Sequence, residues 1–346
     1  MELLHRFKPH TLAVATLFIM CSSSWAANPN QQTEDEWKFT LKNAYINRDF
    51  DNDALKDTGS WSQAASLFYK SKMHDTPLVI ADKPITIGAD ASVQYAVRLS
   101  SDKHVADTVL PFNKETQSQA SDYLKYGATL KLGYDKTLLS VGELWLDLPV
   151  TAVDASRQLL TSYWGTNLKS QLSDQLYAEI GRVEKVSPRN EEDFKKFSFT
   201  ANGITKESDG LNYIDLRYQF TPSLKGEYYF GNLEDLYNKH YVGLEHTWKQ
   251  PTFALTSKFK YFNAKDDGNT FDIDAENIGL LETVKVKTIP LVWVTNKLLE
   301  SRLTHYQMAS YQKLISLTGM PQAFSKKMKS LTMSCMAMTL KITFPA

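Results

Sequence analysis

The stretch from Leu211 to Phe262 constrains this chain more than any other, because its side chains sort by parity in one segment after another. Ile214, Leu216, Tyr218 and Phe220 take the even positions there, while Asp215, Arg217 and Gln219 take odd ones. After Thr221-Pro222, Leu224, Gly226, Tyr228 and Phe230 share one face, with Lys225, Glu227 and Tyr229 on the other. Val242, Leu244 and Trp248 then oppose Gly243, Glu245 and Thr247. Phe253, Leu255, Phe259 and Tyr261 alternate with Ala254, Thr256, Lys258 and Lys260. A period of two means strands with two unlike faces. A soluble sandwich alternates too, but here the apolar face is rich in aromatics and charge recurs on the other. That is the pattern of an antiparallel transmembrane β-barrel, with lipid outside and water inside.

The same sorting runs through the earlier chain. Trp37, Phe39, Leu41 and Tyr45 oppose Lys38, Thr40, Lys42 and Arg48. Trp61, Ala65, Leu67 and Tyr69 oppose Ser62, Ser66 and Lys70. Ile85–Leu99 is a further strand, with Gly88, Asp90, Gln94 and Arg98 toward water. Leu124–Tyr134 is the cleanest, its Lys125, Gly127, Thr129, Lys131 and Gly133 all on one face. Asp135-Lys136 makes a short turn into a strand over Leu138–Leu148, and Leu176–Val186 is another. Ser100–Ser121, Pro149–Leu172 and Pro188–Lys196 read as loops, and Phe197–Ala201 as a short added strand. Short turns at one rim and long loops at the other suit an outer-membrane barrel.

The first residues read as a secretory leader. Arg6, Lys8 and His10 precede an apolar run over Thr11–Met20, and Ser24-Trp25-Ala26 supplies small residues for cleavage, so residues 1–26 are expected to leave. Beyond them no stretch approaches ~18 consecutive apolar residues, and a barrel is the remaining way to span a bilayer. Cys21 and Cys335 are the only cysteines, so no disulfide framework or cysteine-based metal site is expected, nor any cofactor. The 39 basic and 39 acidic side chains balance, which argues against a nucleic-acid partner.

Several segments resemble one family. Asn43-Ala44-Tyr45-Ile46-Asn47-Arg48-Asp49-Phe50, with Trp61-Ser62-Gln63, resembles the first strands of the OprD-type outer-membrane porins. Gly88-Ala89-Asp90-Ala91 resembles the third. Pro149-Val150, Gln158-Leu159-Leu160 and Trp164-Gly165 resemble the family's constriction-loop region. Leu233-Glu234-Asp235 and Tyr237, between Tyr228-Tyr229 and Tyr241-Val242-Gly243-Leu244, resemble its signature turn, and Lys260-Tyr261-Phe262 stands where Arg-Tyr-Phe is usual. The resemblance reaches about Lys287. It implies an eighteen-stranded barrel, an inward-folded loop that narrows the pore, and passive uptake of small carboxylates, either basic amino acids or aromatic acids. It also implies the outer membrane, with its lipid and lipopolysaccharide and the barrel-assembly machinery, as the setting.

In that family a ladder of basic side chains guides the carboxylate. The physics suits it: a cation in a narrow low-dielectric channel attracts an anion more strongly than in open water, and Arg adds bidentate recognition. By parity and match, Arg48, Lys131, Arg217 and Lys260 are the expected rungs, with Lys42, Arg98 and Arg157 behind them. Each could equally be a solvated wall charge. Asp90, Asp215 and Glu227 could pair with these cations or attract a substrate amine.

From Thr288 the pattern breaks. Alternation stops after Leu291-Val292-Trp293-Val294, and Met308, Met320, Met328, Met333, Met336 and Met338 crowd the last stretch. The terminal Thr343-Phe344-Pro345-Ala346 lacks the aromatic strand that barrels carry for assembly. A frameshift explains this, and the genetic code tests it. Each shifted codon takes the third base of one codon and the first two of the next. Trp293 with Val294 then forces Gly, and Asn296 with Lys297 forces Gln or a stop. With permitted third bases Thr288–Leu299 can read HTFGLGYQQII, which resembles the family's next strand. Met336 with Ala337 forces Gly and Met338 with Thr339 forces Asp, so Cys335–Ala346 can read YGYDFKNYVPG. The expected organisation is therefore a leader over 1–26, a partial barrel of about eleven strands over 27–287, and an out-of-frame tail over 288–346. A chain so interrupted is expected not to form a working pore.

Two other classes compete. A barrel protease or phospholipase needs Ser, His and an acid together; His240 and His246 flank the signature turn, but His246 has lipid-face parity and no Ser stands in a nucleophile-like context. A secreted soluble β-protein that binds sugars or surfaces would have to pack its apolar faces against each other.

Overall fold

The computed structural model describes residues 29–286 except 31, 51–56, 101–109, 114, 117, 150, 152, 155–156 and 202, with backbone alone at 48–50, 58, 292–303 and 328–344. The leader expected over 1–26 lies outside the described residues. What is described is all β: β1 (Asp35–Phe50), β2 (Thr58–Lys70), β3 (His74–Ile80), β4 (Lys83–Ser100), β5 (Phe112–Asn113), β6 (Ser118–Gln119), β7 (Asp122–Tyr134), β8 (Thr137–Leu144), β9 (Ser162–Gln171), β10 (Leu176–Ser187), β11 (Lys195–Ala201), β12 (Ile204–Ser208), β13 (Leu211–Thr221), β14 (Leu224–Leu233), β15 (Tyr237–Lys249), β16 (Phe253–Asp266), β17 (Asp274–Val286), β18 (Val292–Leu303) and β19 (Met328–Phe344). All pairings are antiparallel. The wall runs β19–β1–β2–β4–β7–β8–β9–β10–β13 and then in chain order to β18. Among the described residues β18 pairs only with β17 and β19 only with β1, so the barrel is not closed.

The burial of the two faces is inverted relative to a soluble protein. Tyr126 on β7 is 72% exposed, and Leu124, Leu130 and Leu132 face outward with it, while Lys131 on the opposite face is 5% exposed. Trp37, Phe39, Leu41, Trp61, Val93, Leu244 and Trp248 are likewise exposed. Apolar faces of a sandwich would cover each other. Here they form the outside, and the polar face is covered by loops folded within.

Four boundaries differ from the sequence reading. β9 stands inside the stretch expected to be loop to Leu172, because Trp164 and Leu168 point outward and Gly165 and Asn167 inward. Twelve wall strands therefore precede residue 287 (β1, β2, β4, β7–β10 and β13–β17). β8 ends at Leu144 rather than Leu148, and Leu146 and Leu148 turn into the interior. β3 was not anticipated; it prolongs β2 beside β4 after a break at 71–73. Lys195–Ala201 is no wall strand but one arm of a hairpin with β12, sharing ladder pairs with the wall where Lys185 and Val186 meet Lys196 and Lys195, and packing Phe197 against Tyr163 of β9.

Candidate functional site

The interior face is threaded by the loop over 145–161, between β8 and β9, and wall side chains fix it along its length. Lys125 of β7 donates to the carbonyls of Leu160 (2.6 Å), Ser187 and Pro188 (both 3.0 Å), tying this loop to the one after β10. Gln94 of β4 accepts from the Leu160 amide at 3.0 Å. Gln158 donates to Ser62 of β2 at 2.7 Å, Lys42 of β1 to the Arg157 carbonyl, and Arg217 of β13 to the Asp147 carbonyl at 3.1 Å. Arg189 binds the Asp154 carboxylate. Leu146 and Leu148 complete the anchorage in an interior cluster with Tyr163, Tyr213, Tyr229, Tyr241 and Phe262. Buried backbone needs such partners, and here strand side chains supply them.

The expected basic rungs fall into different surroundings. Lys131 lies 2.5 Å from Asp90 and donates to the Ser71 carbonyl. Arg217 is held between Asp215 (2.7 Å) and Glu227 (3.0 Å), with its guanidinium 5.4 Å from the Tyr177 ring. Arg98 donates to the Gln119 carbonyl at 2.9 Å and steadies the loop ahead of β7. Lys42 and Arg157 meet at the 145–161 loop. Lys260 on β16 makes no ion pair or hydrogen bond among the described residues, though Lys258, Glu227 and Glu245 are its charged neighbours. The side chain of Arg48 lies outside the described residues.

The signature turn has a different job. Leu233 ends β14 and Tyr237 starts β15, leaving Glu234–Leu236 as the connection. Asp235 sits at φ 63°, where a short polar side chain is tolerated. Glu234 accepts from Arg182 at 2.5 and 3.1 Å and from Asn212 at 2.8 Å, so the turn is clamped to β10 and β13.

Sequence parity placed Lys125 on the water face but could not give its partners, because those are carbonyls of distant loops. Arg182 and the interior tyrosines were missed. Recurrent tyrosine on the polar face, as at Tyr213, Tyr229 and Tyr241, was the available signal. No group of side chains suited to a metal occurs among the described residues.

A family model described as outer membrane porin, OprD family, matches residues 33–297. The porin-like protein GalP of Pseudomonas putida is 30% identical over 233 residues, 66% of this chain and 54% of that protein. Porin D of Pseudomonas aeruginosa is 27% identical over 241 residues, 68% of this chain and 52% of its own. The chain thus spans about half the length of these curated relatives. The crystal structure of Pseudomonas aeruginosa OpdK with vanillate superimposes with a TM-score of 0.63 at 26% identity, covering 73% of this chain and 64% of that one.

Proposed function

The chain belongs to the OprD family of outer-membrane porins, and on that premise we propose that its gene encodes a selective passive channel for small carboxylates. Its relatives are channels rather than enzymes, and porins of this family are outer-membrane proteins. The observation that carries the reading is the inverted wall: aromatic and aliphatic side chains outward, polar side chains inward, and the 145–161 loop bonded into the interior. Such a loop narrows the lumen, and basic side chains beside it favour anions. Vanillate in OpdK is a small aromatic carboxylate, so an aromatic acid is the first candidate solute. Among the expected rungs whose side chains are described, Lys260 is the one open to a solute carboxylate, since Lys131 and Arg217 are already matched by acids. Arg48, Lys42, Arg98 and Arg157 complete the pathway as field and as loop supports.

The chain as written is, in this reading, interrupted: residues 1–26 are a leader, and the frame slips near Lys285–Lys287, so that 288–346 is translated out of frame. The forced codons at Trp293-Val294, Met336-Ala337 and Met338-Thr339 support it. An unclosed sheet leaves backbone groups facing lipid, each costing several kcal/mol, so the uninterrupted frame is the conducting form. The test is to sequence codons 280–300, restore the frame and assay reconstituted protein in vesicles. Benzoate-class anions should enter faster than a neutral solute of equal size. Equal rates would refute carboxylate selectivity, and defined conductance from the chain as written would refute the interruption.

A further inference from the structure

A second layer lies inside the wall, at the rim opposite the long loops. The segment ahead of β1 does not run away from the barrel. Asn30 donates to the Asp135 carbonyl at 3.2 Å and accepts from Thr86 at 2.9 Å, reaching from β1 past β2 to β4 and β7. The Gln32 carbonyl accepts from the Met73 amide at 2.8 Å, and Asp35 accepts from the Lys72 amide at 2.8 Å. Residues 71–73, where β2 breaks before β3, form the next part. Ser71 exchanges two hydrogen bonds with Ala89, backbone to backbone at 3.0 Å and Ala89 amide to Ser71 Oγ at 2.8 Å.

Both parts rest on glycines of the lumen face. A Cβ on Gly133 would lie 2.5 Å from Asn30 Cγ, and one on Gly88 would lie 2.8 Å from Met73 Sδ and 2.9 Å from Ser71 Oγ. Neither glycine has the positive φ that would require it for backbone reasons. What each supplies is a notch, and a different part of the inner layer fills it. Lys131 closes the arrangement by donating to the Ser71 carbonyl.

We propose that this mouth carries a second constriction, in which the segment at Asn30 and Gln32 is strapped across the inner wall over Gly133 and held beside residues 71–73, which are seated over Gly88. Short turns face the periplasm in outer-membrane barrels, so the strap stands at the exit, at the rim opposite the one from which the 145–161 loop folds inward. It follows that Lys131, which holds the Ser71 carbonyl, acts on the strap through residues 71–73 as a positioning residue for the exit. The inference rests on the porin reading, because only a hollow wall gives the strap an inside.

The test is a cysteine pair, Asn30→Cys with Gly133→Cys, in the frame-restored chain with every other cysteine changed to Ser. A wall control, Asn43→Cys with Gln63→Cys, spans β1 and β2, where these side chains hydrogen-bond at 3.0 Å. Disulfide-linked tryptic peptides from both pairs in the outer-membrane fraction are expected. A linked control with a free Asn30–Gly133 pair overturns the strap while leaving the porin reading standing; two free pairs overturn both. In the frame-restored chain, Gly133→Val suits the strand but fills the notch, and single-channel conductance should rise. Unchanged conductance from a folded, heat-modifiable barrel would overturn the constriction.

Discussion

Arg182 and Glu234 meet through both guanidinium nitrogens and both carboxylate oxygens, at 2.5 and 3.1 Å, at the rim that carries the long loops. The pair joins β10 to the connection after β14, across β13. The 234–236 connection is thereby a clamp for the loop rim.

The clamp should respond to acid. Hydrogen bonds from Arg182 and then Asn212 hold the Glu234 carboxyl at about 2, well under its ordinary 4.5. A carboxyl lowered in the folded state stabilises fully above its unfolded value and ceases to as pH falls through the folded one. Hydrogen-exchange protection of the 234–236 connection, corrected for intrinsic rates, should hold down to about pH 4.5 and fall toward pH 2. Glu234→Gln should remove that step, leaving a flat profile.

Gly127 tests the inward seat of Glu143. A Cβ on Gly127 would lie 2.5 Å from Glu143 Cδ, while Glu143 accepts from Ser92 at 2.5 Å. Gly127→Val should destabilise the frame-restored barrel by about 1–3 kcal/mol, the usual penalty for overpacking. The urea midpoint of the folded-to-unfolded gel shift measures it. An unchanged or raised midpoint would show that Glu143 swings free.

The wall was legible because a two-residue period survives wherever one face meets lipid, as from Leu124 to Tyr134. Gly165 obscured β9, since Trp164-Gly165 matched a loop pattern while the outward Trp164 and Leu168 belong to the wall. The loop contacts were not legible. Lys125 and Lys131 look alike in sequence, yet one caps carbonyls of two loops and the other pairs with Asp90. Parity fixes which face a side chain takes; the partner depends on chain folded back from 35 or more residues away.

Lys125→Met should free the constricting loop without unfolding the wall. It removes three charged hydrogen bonds to carbonyls, each worth roughly 1.5–3 kcal/mol, at a site where Gln94 and Gln158 still hold the loop. In the frame-restored channel the expected result is frequent brief closures, together with faster trypsin cleavage after Arg157 and Arg189. Quiet current with normal protease resistance would show that Lys125 is redundant.

Charge matching ranks the rungs for transport. Lys260→Gln should lower carboxylate flux several-fold and leave neutral solutes unaffected, because it removes a cation with no ion-pair partner among the described residues. Lys131→Gln should have less effect on anion selectivity, since Asp90 already offsets that charge at 2.5 Å. Reversal potentials in a salt gradient give the ratio directly, and an equal loss in both variants would contradict the ranking.

Arg217 carries the largest expected stability effect. Its guanidinium lies 2.7 Å from Asp215 and 3.0 Å from Glu227, and Glu179 is buried on the neighbouring β10. Asp215 is fully buried, so water cannot take over as counter-dipole if the arginine is lost. Breaking a buried pair from one side typically costs about 3–5 kcal/mol. Arg217→Met should therefore lower the urea midpoint sharply in the frame-restored barrel. Arg217→Met with Asp215→Asn should recover part of that loss, because the second change removes the more deeply buried of the two stranded charges. Recovery also separates this effect from the lost bond to the Asp147 carbonyl, which both variants lack. If the double variant is as unstable as the single one, the loop contact and not the carboxylate is what Arg217 supports.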